Sequence, residues 1–322
     1  MKTAAIVGCG NIAGLLDSSE DEHIITHAHA YQEYPQTKLI AVCDPDTKKR
    51  EDFMTSWGTD IQTYSNLTEL LAHEKIDILS ICSPTPFHAQ ALKEAFNDRH
   101  ISTIICEKPF VQTQEEIDEI KTLVNTSDKK MIINFIRRYD PSIQELKKLL
   151  DSKELGEILH FNANFTKGLY HNGSHMLELI EYLCGSIHSI KANTITHADD
   201  DLYGTFYLDT LSSHGTLHNE SGESYALFEL ELVLSEGRVQ IKDSGHSIIV
   251  ETVKPSTQYP GYFRLAHEKT LPNSLNNYLY NTLEYCLSST DHSETLDKHI
   301  TLSQKLLTIK DHLYEKHFLE FT

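Results

Sequence analysis

The segment Gly8-Cys9-Gly10-Asn11-Ile12-Ala13 follows the apolar run Ala4-Ala5-Ile6-Val7, and Glu107-Lys108-Pro109 follows a second such run, Thr103-Ile104-Ile105-Cys106. Glycines at the first two positions of such a turn let the backbone close tightly and approach a pyrophosphate, and Ala13 is small enough for a helix and a strand to touch. The first segment reads as a dinucleotide-binding fingerprint with Gly8, Gly10, Asn11 and Ile12 as cofactor contacts, and the second brings Lys108 to that dinucleotide. Asp44 ends the next apolar run, where a carboxylate would accept hydrogen bonds from the adenosine ribose hydroxyls and favour NAD over NADP. Lys48, Lys49 and Arg50 follow closely and would suit a 2′-phosphate, although the exposed face of the next helix is their plainer reading.

From Gly10 to Asp44 is 34 residues, against about 20 in the usual fingerprint. Something is inserted, and the acidic run Asp17-Ser18-Ser19-Glu20-Asp21-Glu22 is the obvious candidate. A solvated loop is the plainer expectation for it; a lid near the cofactor is the sharper one. His27 and His29 fall on the helix that follows and, two residues apart, point to different sides. They are expected to be structural, or in one case to touch the cofactor region.

The elements that must position these residues follow a β-α-β rhythm. Leu39–Cys43, Ile76–Ile81 and Ser102–Ile105 read as buried parallel strands, and segments near 47–56, 66–73, 87–98 and 114–125 read as covering helices. This predicts an α/β doubly wound, Rossmann-type domain over residues 1–125. After Met131–Phe135 the rhythm changes: a helix near 140–152, a strand near 157–166, a helix near 174–184, then β-rich runs such as Tyr225–Leu234. Strands following strands predict an α+β domain over residues 126–322, built on an antiparallel sheet, with two helices near 273–315.

Composition narrows the function classes. At 322 residues and 39% hydrophobic content the chain can bury two ordinary cores. A net charge of −19 makes the electrostatic term for nucleic acid repulsive, so no nucleic-acid partner is expected. The first strand begins at once after Met1, and no apolar stretch approaches bilayer length, so a cytoplasmic protein without membrane partners is expected. The six cysteines lie scattered without a CxxC spacing; Cys43, Cys82 and Cys106 end strand-like runs, where a reduced thiol behaves as a small buried hydrophobe.

Taken in order, these motifs resemble the Gfo/Idh/MocA oxidoreductases. The series comprises the glycine fingerprint, Cys43-Asp44, Ser83-Pro84-Thr85-Pro86-Phe87-His88, Glu107-Lys108-Pro109, Asn134-Phe135-Ile136-Arg137-Arg138-Tyr139-Asp140-Pro141 and Gly173-Ser174-His175. The resemblance spans residues 8 to 185 and implies a Rossmann domain followed by an α/β domain with an open, mostly antiparallel sheet. The exposed face of that sheet commonly builds oligomers, hence an expected homodimer or homotetramer. It also implies hydride transfer between NAD and a hydroxyl or keto carbon of a sugar or nucleotide-sugar, with Ser83, Pro84, Thr85, His88 and Glu107 joining the cofactor contacts.

On that resemblance Lys108 would stand beside the nicotinamide at a strand's carboxyl end, hydrogen-bond the substrate hydroxyl and stabilise oxygen charge. His175 is the matching proton-transfer candidate, because imidazole titrates near neutrality. Similar enzymes carry an aspartate four residues earlier, and this chain has His171. That departure leaves open whether a histidine pair shares the proton or whether catalysis has been lost. Arg138, Lys167 and Asn172, with Lys108 and His175, are candidate substrate contacts; for Arg138 an ion pair with a carboxylate is equally expected. His171, His175 and Glu178 have helical spacing that could suit zinc, but the resemblance implies no metal. An NAD-dependent glycosidase and a non-catalytic sensor on the same scaffold are the alternative functions.

Overall fold

In a computed structural model, which describes residues 1–198, 201–222, 224–288 and 292–321, the chain divides into two units. The first comprises Met1–Ile136 and Asn276–Gln304, the second Arg137–Leu275 and Lys305–Thr322.

The first unit holds a six-stranded parallel sheet ordered β3-β2-β1-β4-β5-β6. Its strands are β1 (Lys2–Val7), β2 (Thr37–Cys43), β3 (Gln62–Tyr64), β4 (Ile78–Ile81), β5 (Thr103–Cys106) and β6 (Lys130–Ile133). All residues of β4 and β5 are buried, which is why they read as continuous apolar runs. The connecting helices are α1 (His27–Glu33), α2 (Thr47–Trp57), α3 (Leu67–His73), α4 (His88–Asn97) and α5 (Gln114–Asn125). Their starts follow the capping residues: Asp46 accepts from the amides of Lys48 and Lys49, and Thr113 forms a capping box with Glu116.

The expected boundary at 125/126 moves to 136/137. β6 pairs with β5 from Thr103↔Lys130 to Cys106↔Ile133 and completes the parallel sheet. The segment 276–304 also returns to this unit, where α8 (Tyr278–Leu287) packs on α1 and β6. α9 (Ser293–Lys316) runs across the division, which falls after Gln304.

The second unit carries α6 (Pro141–Asp151), α7 (Gly173–Cys184) and a nine-stranded sheet ordered β14-β13-β12-β11-β7-β10-β9-β8-β15. The strands are β7 (Ile158–Thr166), β8 (Ile187–Ala198), β9 (Asp201–Thr210), β10 (His214–Glu220), β11 (Phe228–Leu234), β12 (Gly237–Lys242), β13 (Ser247–Pro255), β14 (Phe263–Leu271) and β15 (Phe318–Glu320). Among the described residues of this sheet only β7 and β10 pair in parallel; the remaining pairs are antiparallel. Burial alternates along β11: Phe228, Leu230, Leu232 and Leu234 are buried and the residues between them are half-buried.

All six cysteines are buried and free. Among the described residues no helix is long and apolar enough to cross a membrane.

Candidate functional site

The glycine turn uses its two glycines for different purposes. Gly8 has φ +91°, and a Cβ there would meet the backbone nitrogen of Ser83 at 2.8 Å and the carbonyl carbon of Cys82 at 2.9 Å. Backbone cannot step aside, so Gly8 is set by the close approach of the loop after β4. At Gly10 a Cβ would meet nothing within 4 Å. That side of the turn is open, as a turn that receives a pyrophosphate must be. Asn11 and Ile12 then enter a single π-type turn, Asn11–Leu15, with Ala13 fully buried. Gly14 lies against Phe53 and Trp57 of α2, and the Trp57 indole donates to its carbonyl at 2.7 Å.

Asp44, 8% exposed, ties β2 to this turn: its Oδ2 accepts from the Cys9 amide and its Oδ1 from the Asp46 amide, both at 2.9 Å. A cleft of about 410 Å³ is lined by Gly8, Asp44, Lys49, Ser83, Pro84 and Phe87, among others. The open turn, the carboxylate and the cleft fit a dinucleotide. Of the three basic residues after Asp44, Lys48 pairs with Asp52, Arg50 donates to the Asp44 carbonyl and Thr47, and Lys49 lines the cleft. Two expected cofactor contacts lie outside this cleft's lining. His88 is 1% exposed, and its ring nitrogens lie 2.7 Å from the Ser83 carbonyl and 3.1 Å from that of Phe110, so it fastens two loops. Thr85 opens a short 3-10 turn, its carbonyl accepting from His88, and does not line the cleft.

Lys108 leaves the end of β5 half-buried, followed by a cis Lys108–Pro109 bond. Glu107 points into the core. Its Oε1 receives His27 Nε2 at 2.9 Å and the Asn134 amide at 2.6 Å. Burial pushes the Glu107 carboxyl up, but the hydrogen bond and charge of His27, the Asn134 amide and Lys108 outweigh it, and its pKa is held below its ordinary value. The network continues: His27 Nδ1 lies 2.9 Å from the Ser80 hydroxyl, which lies 2.7 Å from the Tyr31 hydroxyl. On the other side Thr282 of α8 donates to Asn134 Oδ1 at 3.0 Å.

His27 is delivered by the insertion. Asp17 Oδ2 accepts from the amides of Ile25 and Thr26 at 2.8 and 3.1 Å and lies 3.0 Å from His29 Nδ1, and Thr26 caps α1. The solvated-loop reading therefore fails for Asp17, whose side chain is only 3% exposed. The other acidic residues of the run, Glu20, Asp21 and Glu22, are exposed. Asn134 as a partner of Glu107 and Ser80 as a partner of His27 carried no signal, because each acquires that role only through the fold.

In the second unit β7 ends at Thr166, and exposed Lys167 adopts a left-handed conformation, φ +70°. A π-type turn, Gly168–Asn172, leads into α7, with half-buried His175 in its first turn. Asp201 of β9 organises this turn: its carboxylate accepts the amides of Tyr170, His171 and Leu202 at 2.7, 2.8 and 2.7 Å. A Cβ on Gly168 would come within 2.0 Å of that carboxylate, so glycine is required there. Sequence reasoning missed Asp201.

Two expected substrate contacts have other engagements. The Arg138 guanidinium, 7% exposed, pairs with the buried Glu178 and lies 4.2 Å from the Tyr182 ring centroid; it is a core ion pair. The Asn172 amide donates to the Thr166 carbonyl at 2.9 Å. Glu178, weighed as a metal ligand, is thereby committed to Arg138. Among the described residues no group of three His, Cys, Asp or Glu side chains is arranged to hold a metal. Lys108 belongs to the first unit; His171, His175 and Lys167 belong to the second.

Residues 2–135 match the family model GFO_IDH_MocA, described as an oxidoreductase family with an NAD-binding Rossmann fold. Among curated proteins, an inositol 2-dehydrogenase of Rhizobium meliloti is 30% identical over 132 residues, 41% of this chain and 38% of that protein. An uncharacterized oxidoreductase of Bacillus subtilis, YrbE, is 29% identical over 151 residues, 47% of this chain and 40% of that protein. The chain thus spans about two fifths of the length of these curated relatives. Two solved structures share the fold. One is the myo-inositol 2-dehydrogenase of Lactobacillus plantarum, with TM-score 0.73 and 19% identity, covering 100% of this chain and 99% of that one. The other is the WlbA dehydrogenase of Bordetella pertussis in complex with NADH and UDP-GlcNAcA, with TM-score 0.74 and 16% identity, covering 99% and 98%.

Proposed function

We propose that the chain, whose residues 2–135 match the Gfo/Idh/MocA oxidoreductase model, is a member of that family and transfers a hydride between NAD and a hydroxyl or keto carbon of a cyclic polyol, sugar or nucleotide-sugar. The observation that carries the reading is the pairing, within one unit, of the open Gly10 turn with a half-buried lysine at the carboxyl end of β5. In a doubly wound sheet that end is where ligands bind.

NAD, when bound, supplies or accepts the hydride. Gly10, on the turn that Gly8 allows to close, admits the pyrophosphate, and the remaining lone pairs of Asp44 accept from the ribose hydroxyls. The Lys108 ammonium donates to the substrate oxygen and stabilises the charge that grows on it as the carbon changes oxidation state. His175 takes the hydroxyl proton during oxidation and returns it during reduction. His171 stands where the family resemblance leads one to expect a carboxylate, and its amide is held by Asp201.

The test joins calorimetry of NAD and NADP with nicotinamide absorbance on a panel of inositols, sugars and nucleotide-sugars. NAD is expected to bind more tightly than NADP, because the Asp44 carboxylate repels a 2′-phosphate. Lys108→Ala is expected to keep NAD affinity and lose about a hundredfold or more in turnover. No absorbance change with any member of the panel, or full activity in Lys108→Ala, overturns the reading.

A further inference from the structure

We propose that His27 and Glu107 are positioning residues for Lys108: the buried Glu107 carboxylate, gripped by the His27 ring and the Asn134 amide, fixes the chain at the end of β5 and holds Lys108 in its charged form. The proposal rests on the reading that Lys108 acts on the substrate oxygen, and adds what sets the state of that lysine.

A carboxylate in the core is costly unless its oxygens are satisfied. Glu107 draws two donors, at 2.9 and 2.6 Å, onto its Oε1. The donors come from separate elements. His27 stands at the start of α1, anchored by the Asp17–Thr26 cap; Asn134 follows β6 and is itself held by Thr282 of α8. With the Glu107 carboxyl ionised, the hydrogen shared between the two sits on His27 Nε2, so the ring is the donor.

The groups facing Glu107 are His27, Asn134, Lys108 and the thiols of Cys82 and Cys106. Burial and the Glu107 charge push both thiols well up, so they stay neutral. Ser80 and Tyr31, behind His27, are neutral hydroxyls; burial raises the Tyr31 phenol. Glu107 is therefore the anion of this pocket, and Lys108, the next residue, feels its charge. An ammonium is what the chemistry needs: a neutral amine neither stabilises oxygen charge nor donates as strongly.

Competitive acetylation with trace acetic anhydride, read by peptide mass spectrometry from about pH 7 to about pH 11, reports the free-amine fraction of Lys108 without any substrate. Exposed Lys48 serves as internal reference. In the isosteric Glu107→Gln, Lys108 is expected to label about threefold or more faster at a fixed pH below its midpoint, half a pKa unit being about a factor of three. His27→Phe, which removes the donor and lets the carboxyl take up a proton, is expected to follow it. His27→Gln, which restores an amide donor, is expected to return labelling to the wild-type curve. Thermal melting confirms that each variant is folded, and the Glu107→Gln comparison stands even where His27→Phe does not fold. Equal labelling of Lys108 in folded wild type and folded Glu107→Gln overturns the proposal. Turnover of Lys108→Ala is read separately: a labelling shift with retained turnover keeps the clamp and removes the catalytic reading, and the reverse pattern does the opposite.

Discussion

Single residues of the turn and its surroundings separate folding from binding. Gly8 carries φ +91° against immovable backbone, whereas Gly10 faces open space. Gly8→Ala is expected to lose about 1–3 kcal/mol of stability through backbone strain, with a lower melting temperature. Gly10→Ala is expected to melt like the wild type and to lose NAD affinity by calorimetry, because its methyl occupies the approach to the pyrophosphate. A Gly10→Ala variant with full NAD affinity removes the glycine turn from cofactor binding. Glu107 makes a pH statement. Its folded pKa lies below the ordinary 4.5, so its contribution to stability is present above about that pH and is lost as pH falls through the lower folded value. On acidification below about pH 4.5 the wild type is expected to lose melting temperature more steeply than Glu107→Gln; parallel melting curves contradict this.

At the scale of elements, the parallel strands and their helices were legible because burial on both faces writes near-continuous apolar runs, and the helix starts carry Asp46, Thr113 and Asp140 as caps. The second sheet was legible because strands follow strands there, and the alternate burial along β11 gives that sheet a more deeply buried face. The π-type turns at Asn11–Leu15 and Gly168–Asn172 were not legible, since an i+5 turn has no distinct composition. Asp17 was misread because one carboxylate of an acidic run turns inward to satisfy the orphan amides at the start of α1, and composition does not say which one. Asp201 acts through backbone amides thirty residues away in sequence, and backbone donors leave no trace in side-chain spacing. For Arg138 the ion-pair alternative holds, but its partner Glu178, forty residues away, could not be named because only the fold brings the two together. The turn yields its own expectation: Asp201→Ala leaves three amides without their acceptor, which costs about 1–3 kcal/mol for each that stays buried. Its melting temperature is expected to fall and turnover to fall with it, whereas NAD affinity, seated in the first unit, is expected to be retained. Loss of NAD binding at unchanged stability contradicts that assignment.

Across the whole molecule the chain is interleaved: each unit is completed by a second segment from the carboxyl-terminal part, 276–304 for the first and 305–322 for the second. The change of rhythm near 126 identified two units but could not reveal this return, because α8 and α9 look like ordinary amphipathic helices wherever they dock. The returning segment supplies Thr282, the outer brace of the Asn134–Glu107 contact. The neighbourhood of Lys108 thus depends on residues far beyond the Rossmann stretch. A net charge of −19 coexists with core ion pairs such as Arg138–Glu178, so its surplus lies in carboxylates outside those pairs.

The six buried thiols have a practical consequence. Burial raises Cys9, Cys184 and Cys286 to about 12 and the other three further, and the thiolate is the reactive species. The folded protein should be chemically silent toward thiol reagents: a chromogenic disulfide is expected to release almost no colour from native protein and six equivalents after denaturation. Rapid reaction of the native state contradicts this. With that background, one cysteine introduced on the surface becomes the sole addressable handle, so dyes or spin labels can be attached to either unit without first removing any native sulfur.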